Sequence, residues 1–221
     1  AYIMRVVPGD AKVGSCTSGV LKFAAANPGA WAENVRITVA PASKAKTQVL
    51  AVNGADLTLK NADGFNPGDV VELFDGKTSA YATIKSALDR TITLDVPCPL
   101  DVADAKVGTA KYIRTCEITI TARLDDMEEV YENLSLKAGS LNCAAVRTAK
   151  SALIRVEVME GKAAPAPAKE KDKDGKEVSA PKMASIVPYE LCGGTGGELL
   201  LTLQGGGNGS VLTATPDTFL G

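Results

Sequence analysis

Histidine is absent from all 221 residues of the chain. That absence removes several chemistries at once. No Ser-His or Cys-His nucleophile can be assembled within this sequence, and a zinc site would have to be built without imidazole. Five cysteines (Cys16, Cys98, Cys116, Cys143 and Cys192) stand at long spacings without one C-x-x-C pair. An odd number so dispersed reads as reduced thiols in a cytoplasmically made protein, mostly buried as small apolar residues. Aromatics are scarce, with Trp31 the single tryptophan, which argues against a sugar platform. Neither sign of charge is in excess. A net charge of −2 gives no electrostatic case for nucleic acid or for an anionic membrane surface. Long apolar runs are missing, so no spanning helix is expected. Ala1 to Arg5 reads as an apolar strand with no basic segment before it, so no signal peptide is visible. The chain begins without Met and stops straight after Phe219-Leu220. Both ends are expected to be cuts inside a longer polypeptide.

What the sequence does have is alternation. Val35, Ile37 and Val39 alternate with Asn34, Arg36 and Thr38. Ile118, Ile120, Ala122 and Leu124 alternate with Thr119, Thr121 and Arg123. Ala152, Ile154, Val156 and Val158 alternate with Leu153, Arg155 and Glu157. A period of two marks half-buried strands, commonly antiparallel with one covered face. The expected fold class is therefore α+β, mostly β.

Thr47 to Ile113 reads as a unit of its own. Val49 to Val52 runs into Asn53-Gly54, a strong hairpin signal, and Leu57 and Leu59 continue the return strand. The turn cluster Gly64 to Asp69, the strand Val70 to Phe74, the turn Asp75-Gly76, and the strands Tyr81 to Leu88 and Thr91 to Val96 complete it. Short strands so spaced predict a small β-barrel or meander, inserted in a loop of the host domain. The domain reading is residues 1–46 with 114–221 as a discontinuous host, and 47–113 as the insertion. One helix is predicted from Ser140 as cap to about Lys150, with a stripe of Leu141, Ala144, Ala145 and Thr148 packed on the sheet it feeds. Residues 161–185 are Ala/Pro-rich and then densely charged, and such a composition predicts an exposed, mobile loop.

Several partial motifs fail on inspection. Gly193 to Gly197 precedes a strand, whereas a phosphate-binding turn follows one and opens a helix. Gly205 to Gly209 follows a strand, but Ser210 to Phe219 contains Pro216 and reads poorly as a helix. Turns needing positive φ account for both clusters. Asp75-Gly76-Lys77-Thr78 ends like a phosphate loop, yet Val71 stands where its first glycine belongs. Glu170, Asp172 and Asp174 imitate a calcium loop, but lysines alternate with them and Pro181 replaces the bidentate acid. Asp125-Asp126 and Glu128-Glu129 read as a solvated turn and not as a glycosidase pair. No catalytic, cofactor-binding or metal-binding residue is expected, no cofactor is implied, and the expected protein is not an enzyme.

Four segments carry a family resemblance. Ala24 to Trp31, running into the strand Asn34 to Val39, resembles the "A-x-x-P-G-x-W-G-N" element of contractile tail sheath proteins. It departs from that element at Ala32 and Glu33. Glu129 to Leu136 resembles "E-x-Y-x-N-L-S-L". The Ser140 helix and Ser151 to Val156 resemble the pattern ending in "S-x-L-V-x-V". Gly205 to Gly221 is similar to "G-G-x-D-G-x-x-L-T-x-x-D-Y-I-G". The four follow in family order, over about residues 1–45 and 114–221. Their residues are physically intelligible as fold determinants: Gly29 suits a tight turn, Trp31 an apolar anchor, and Asn133 a cap or turn.

The resemblance implies a structural role. Full-length sheath subunits stack as six-fold rings around a tail tube and contract irreversibly to drive it through an envelope. The partners implied are neighbouring sheath subunits and, through a core lying beyond Gly221, the tail tube; nucleic acid and membrane are not among them. The fragment alone is expected to be monomeric, and the location implied is a virion tail or contractile particle assembled in a bacterial cytoplasm. The rival reading is a surface-exposed β-domain that binds a host receptor or glycan through residues 47–113.

Overall fold

The computed structural model describes residues 8–103, 111–140, 142–159, 170–171, 177–178 and 187–210. In chain order, β1 (Ser15–Ser18) turns into β2 (Leu21–Ala25). A 3-10 turn, Ala30–Asn34, precedes β3 (Arg36–Ala42). Then come β4 (Lys46–Thr47), β5 (Val49–Asn53), β6 (Asp56–Leu59), β7 (Val70–Phe74), β8 (Ser79–Leu88) and β9 (Thr91–Leu94). Next are β10 (Tyr112–Thr115), β11 (Glu117–Leu124) and β12 (Met127–Leu134), followed by α1 (Ala144–Arg147) and β13 (Ile154–Val158). The last are β14 (Glu170–Lys171), β15 (Glu177–Val178), α2 (Pro188–Leu191) and β16 (Leu199–Thr202).

The ladders between these strands are antiparallel, and the protein is mostly β with few helical residues. A three-stranded sheet has the order β1-β2-β13, and a four-stranded sheet the order β12-β11-β3-β16. Alternation puts Ile37 opposite Ala122 and Leu201, and Val39 opposite Ile120 and Leu199. These side chains pack with Leu21 and Phe23 of β2 and Ile154 and Val156 of β13 in one apolar cluster. Each large side chain taken from water there contributes about 1.5–3 kcal/mol.

A second apolar cluster lies wholly within residues 45–113. Leu57, Leu59, Phe65, Leu73, Ile84, Ile92, Leu94 and Ile113 are its largest members. It belongs to a seven-stranded sheet of order β4-β10-β7-β8-β9-β6-β5. The chain departs for this unit at the end of β3 and returns into β11, which pairs with β3 over seven residue pairs from Glu117 opposite Ala42 to Arg123 opposite Arg36.

Four expectations are altered. No closed barrel is found: the sheet's outermost strands, β4 and β5, follow one another along the chain with Gln48 between them, and no ladder joins them among the described residues. The predicted helix shrinks to the single turn of α1. Its cap is Cys143 and makes no side-chain bond, while Ser140 Oγ instead accepts from the Asn142 amide at 3.3 Å; Leu141 lies outside the described residues. The Thr148 hydroxyl bonds back to the Ala144 carbonyl (2.9 Å) and accepts the Val156 amide (3.1 Å), so the turn is fastened to β13 before it can lengthen. Asn34 belongs to the 3-10 turn and not to β3. Of the predicted loop 161–185, β14 and β15 form a two-stranded pair and the rest lies outside the described residues, as do Ala1 to Arg5 and residues 211–221.

Candidate functional site

The motif segments meet in pairs. The first and fourth touch at Gly29, whose φ of 147° sets the turn before Trp31. The Ala30 amide donates to Asn208 Oδ1 at 2.9 Å. Gly206 lies so close that a Cβ there would sit 2.5 Å from the Gly29 carbonyl oxygen. The Lys12 and Gly207 backbones exchange two hydrogen bonds, and the Gly29 amide joins the Lys12 carbonyl at 3.1 Å. The glycine cluster 205–209 is thus a backbone partner for the chain's N-terminal side. Trp31 is half-buried against the first apolar cluster, and its Nε1 donates to the Pro28 carbonyl at 3.3 Å.

The second and third segments meet at Glu129. Its carboxylate accepts from Ser151 Oγ, from the Ala152 amide (2.8 Å) and from the Tyr131 hydroxyl (3.0 Å). Ser151 Oγ in turn accepts from the amides of Leu153 and Ile154. Burial opposes ionisation of Glu129, but the bonds from Ser151, Ala152 and Tyr131 outweigh it and hold the carboxyl below its usual value. The four-acid turn is therefore corrected. Asp125 does take a left-handed φ of 50°, and Glu128 pairs with Arg123, but Glu129 faces Ser151 because alternation along β12 turns it to the opposite side. Asn133 has a φ of 52° within β12, at the end where the β11–β12 register shifts between Ile118 and Ile120.

The two apolar clusters are joined by a polar junction that no local pattern marks. Lys44 Nζ lies 2.8 Å from Asp69 and 3.4 Å from Glu117. The Lys44 amide donates to Glu117 Oε2 at 2.9 Å, and Thr115 Oγ1 donates to the same oxygen at 2.9 Å. Glu117 is 4% exposed. Burial raises its carboxyl above the usual range, partly offset by the Lys44 amide, Thr115 and the Lys44 charge. Lys137 Nζ reaches across from the host side to the Pro67 carbonyl (3.2 Å). Lys44 and Glu117, like Lys137 and Pro67, lie about seventy positions apart in the sequence, so only folding brings them together.

The discarded motifs fall in turns. The Asp75 carboxylate accepts the amides of Thr78 and Lys77, and those bonds hold its carboxyl below the usual value. Gly193, Gly196 and Gly197 all have positive φ. The five cysteines are free. Among the described residues no group of three or more Cys, Asp or Glu side chains is placed to hold a metal ion, and no helix is long and apolar enough to cross a membrane.

No family model matches this chain, and no curated protein matches it in sequence.

Proposed function

We propose that this chain is a passive scaffold, the outer-middle part of a contractile tail sheath subunit from a phage tail or contractile injection system. The carrying observation is that the four sheath-like segments contact one another as two interlocked pairs, Gly29 and Ala30 with Gly206 and Asn208, and Glu129 with Ser151 and Ala152. Residues kept together for shape behave in this way. In this reading residues 47–113 are an inserted decoration that curls toward a barrel, and the unit acts as no enzyme. Its work is done by surfaces meeting copies of themselves and by rearrangement at those surfaces. Leu200 and Val130 lie in one register row with Thr38 and Thr121, 73% and 49% exposed. They are the apolar side chains a lateral contact would cover.

The test is electron microscopy of the longest native polypeptide that carries these residues. Rings or tubes are the expected result, and Leu200→Glu is expected to impair them. Dispersed particles under every assembly condition would overturn the reading.

A further inference from the structure

The few aromatic residues of this chain are not evenly spread. β10, β7 and β8 lie side by side, and their register sets Tyr112 beside Phe74 and places Arg114, Glu72 and Tyr81 in one row. This row lies on the face turned away from the second apolar cluster, because Val71, Leu73, Ala82 and Ile113 take the alternate positions. Phe74 and Tyr112 stack with ring centroids 5.1 Å apart, and Lys46 Nζ caps Tyr112 at 4.0 Å from its centroid.

Tyr81 and Arg114, with Pro41, Val187, Tyr189 and Glu190, line a cleft of about 650 Å³ walled by Gly193 to Gly197. A smaller recess of about 200 Å³ shares Pro41, Tyr81, Arg114 and Val187 and reaches Glu72. Clefts of this class are where small ligands lodge. The Tyr189 hydroxyl donates to the Gly197 carbonyl, and Gly194 lies against the Tyr189 ring with no room for a Cβ. The glycine wall is thus strapped to Tyr189, and its Gly193 and Gly194 amides are taken by the Glu190 and Tyr189 carbonyls.

Glu72, on the outward face, is 5% exposed; it accepts Ser79 Oγ at 2.5 Å and the Nε of Arg114. Glu72 takes the Arg114 Nε, the guanidinium lies over the Tyr112 ring at 5.8 Å from its centroid, and the Nη groups make no hydrogen bond to the described residues. The Tyr81 hydroxyl and the Glu190 carboxylate make none either. Burial first, then Glu72 and Glu190 nearby, raises the Tyr81 phenol above its ordinary value.

The geometry points to a binding site for an uncharged sugar residue in this cleft. Arg114 is neutralised by Glu72, and Glu190 adds a negative charge, so phosphate and carboxylate ligands are disfavoured. Among the lining residues Arg114 and Tyr81 carry donors and Glu190 an acceptor, beside the apolar surfaces of Tyr81, Pro41 and Val187. A pyranose offers the matching surfaces: hydroxyls that both donate and accept around a C–H face that packs on an aromatic ring. The sequence alone argued against a sugar platform because aromatics are rare, but rarity does not prevent their clustering. The inference stands whether or not the chain builds a sheath.

The test is titration of the whole chain with glucose, galactose, mannose, N-acetylglucosamine, lactose, maltose and chitobiose, followed by NMR shift changes. At least one sugar is expected to shift the amides of Tyr81, Arg114 and Gly193 to Gly197, with a millimolar dissociation constant. Tyr81→Ala and Glu190→Gln should each weaken it at least about tenfold, or 1.4 kcal/mol, while Leu88→Ser leaves it unchanged. Arg114→Lys, which keeps the charge but loses the fork, should do the same as the first two. Because Arg114→Lys also disturbs the buried Glu72, the outcome is read from Tyr81→Ala and Glu190→Gln. Binding of none of these sugars, binding that survives both Tyr81→Ala and Glu190→Gln, or tighter binding of glucuronate or oligo-dT would each overturn the inference.

Discussion

Lys44 and Glu117 meet twice, once through the Lys44 amide at 2.9 Å and once through its ammonium at 3.4 Å. A buried carboxylate held from two sides loses most when the mobile partner is cut away. Lys44→Ala should cost about 2–4 kcal/mol, read by urea unfolding. Adding Glu117→Gln should restore part of it, giving a coupling of at least about 1 kcal/mol in a double-mutant cycle. The sign with pH follows from burial. Folded Glu117 holds its proton more tightly than the unfolded chain does, so stability falls as pH rises from the ordinary glutamate value through the raised one. That fall should be steeper in Lys44→Ala.

Glu129 should behave in the opposite sense. Its folded carboxyl is the stronger acid, so the stability it contributes is present above the ordinary glutamate value and lost as pH falls through the lowered one. Glu129→Gln should cost about 1 kcal/mol at neutral pH, at the low end for a hydrogen-bonded charge because the group is partly solvated. The difference from the parent should vanish in acid. Denaturation curves at the two pH values decide it.

Two glycines separate backbone strain from crowding. Gly54 sits at φ 62° with nothing within 4 Å of an added Cβ, so Gly54→Ala should cost about 1–2 kcal/mol, from the left-handed conformation alone. At Gly206 an added Cβ meets the Gly29 oxygen at 2.5 Å and Ala32 Cβ at 3.0 Å. Gly206→Ala should cost about 1–3 kcal/mol by overpacking and disturb the amide signals of Gly29 and Ala30, where Gly54→Ala should not.

Deletions in the two apolar clusters should be felt locally. Phe23→Ala, at 0% exposure, should cost about 3–5 kcal/mol, and Leu73→Ala about 2–5 kcal/mol. Hydrogen exchange should accelerate within residues 45–113 more for Leu73→Ala than for Phe23→Ala, since each cluster supports its own sheet.

Two of the five thiols should be silent in the folded protein. Burial pushes the thiols of Cys116 and Cys192 up to about 12, the former with Glu72 adding to the effect. Neither should label at neutral pH until denaturant is added.

Strands were legible in this sequence where one face is apolar and the other wet. Ile118 to Leu124 and Ile154 to Val158 alternate because β11 and β13 each cover one side of the first cluster. The Asn53-Gly54 turn was legible from backbone chemistry alone. The helix was overextended because a stripe of Leu141, Ala144 and Thr148 says nothing about Thr148 being needed by Val156. Closure of the inserted sheet depends on whether two edges bond, and a strand pattern does not carry that. The Lys44 junction and the Tyr81–Arg114 cleft were invisible for a simpler reason: their members are remote in sequence and share no spacing.

The departure of the chain at Ala42 and its return at Glu117, opposite one another across β3 and β11, has a consequence for how such a protein can diversify. Neighbouring strands run about 5 Å apart, so any foreign module whose ends lie that close can be spliced in there without altering the pairing of the sheet that bears it. The pairing of Ala42 with Glu117 is then a socket: what closes the sheet is indifferent to what is carried between those two residues.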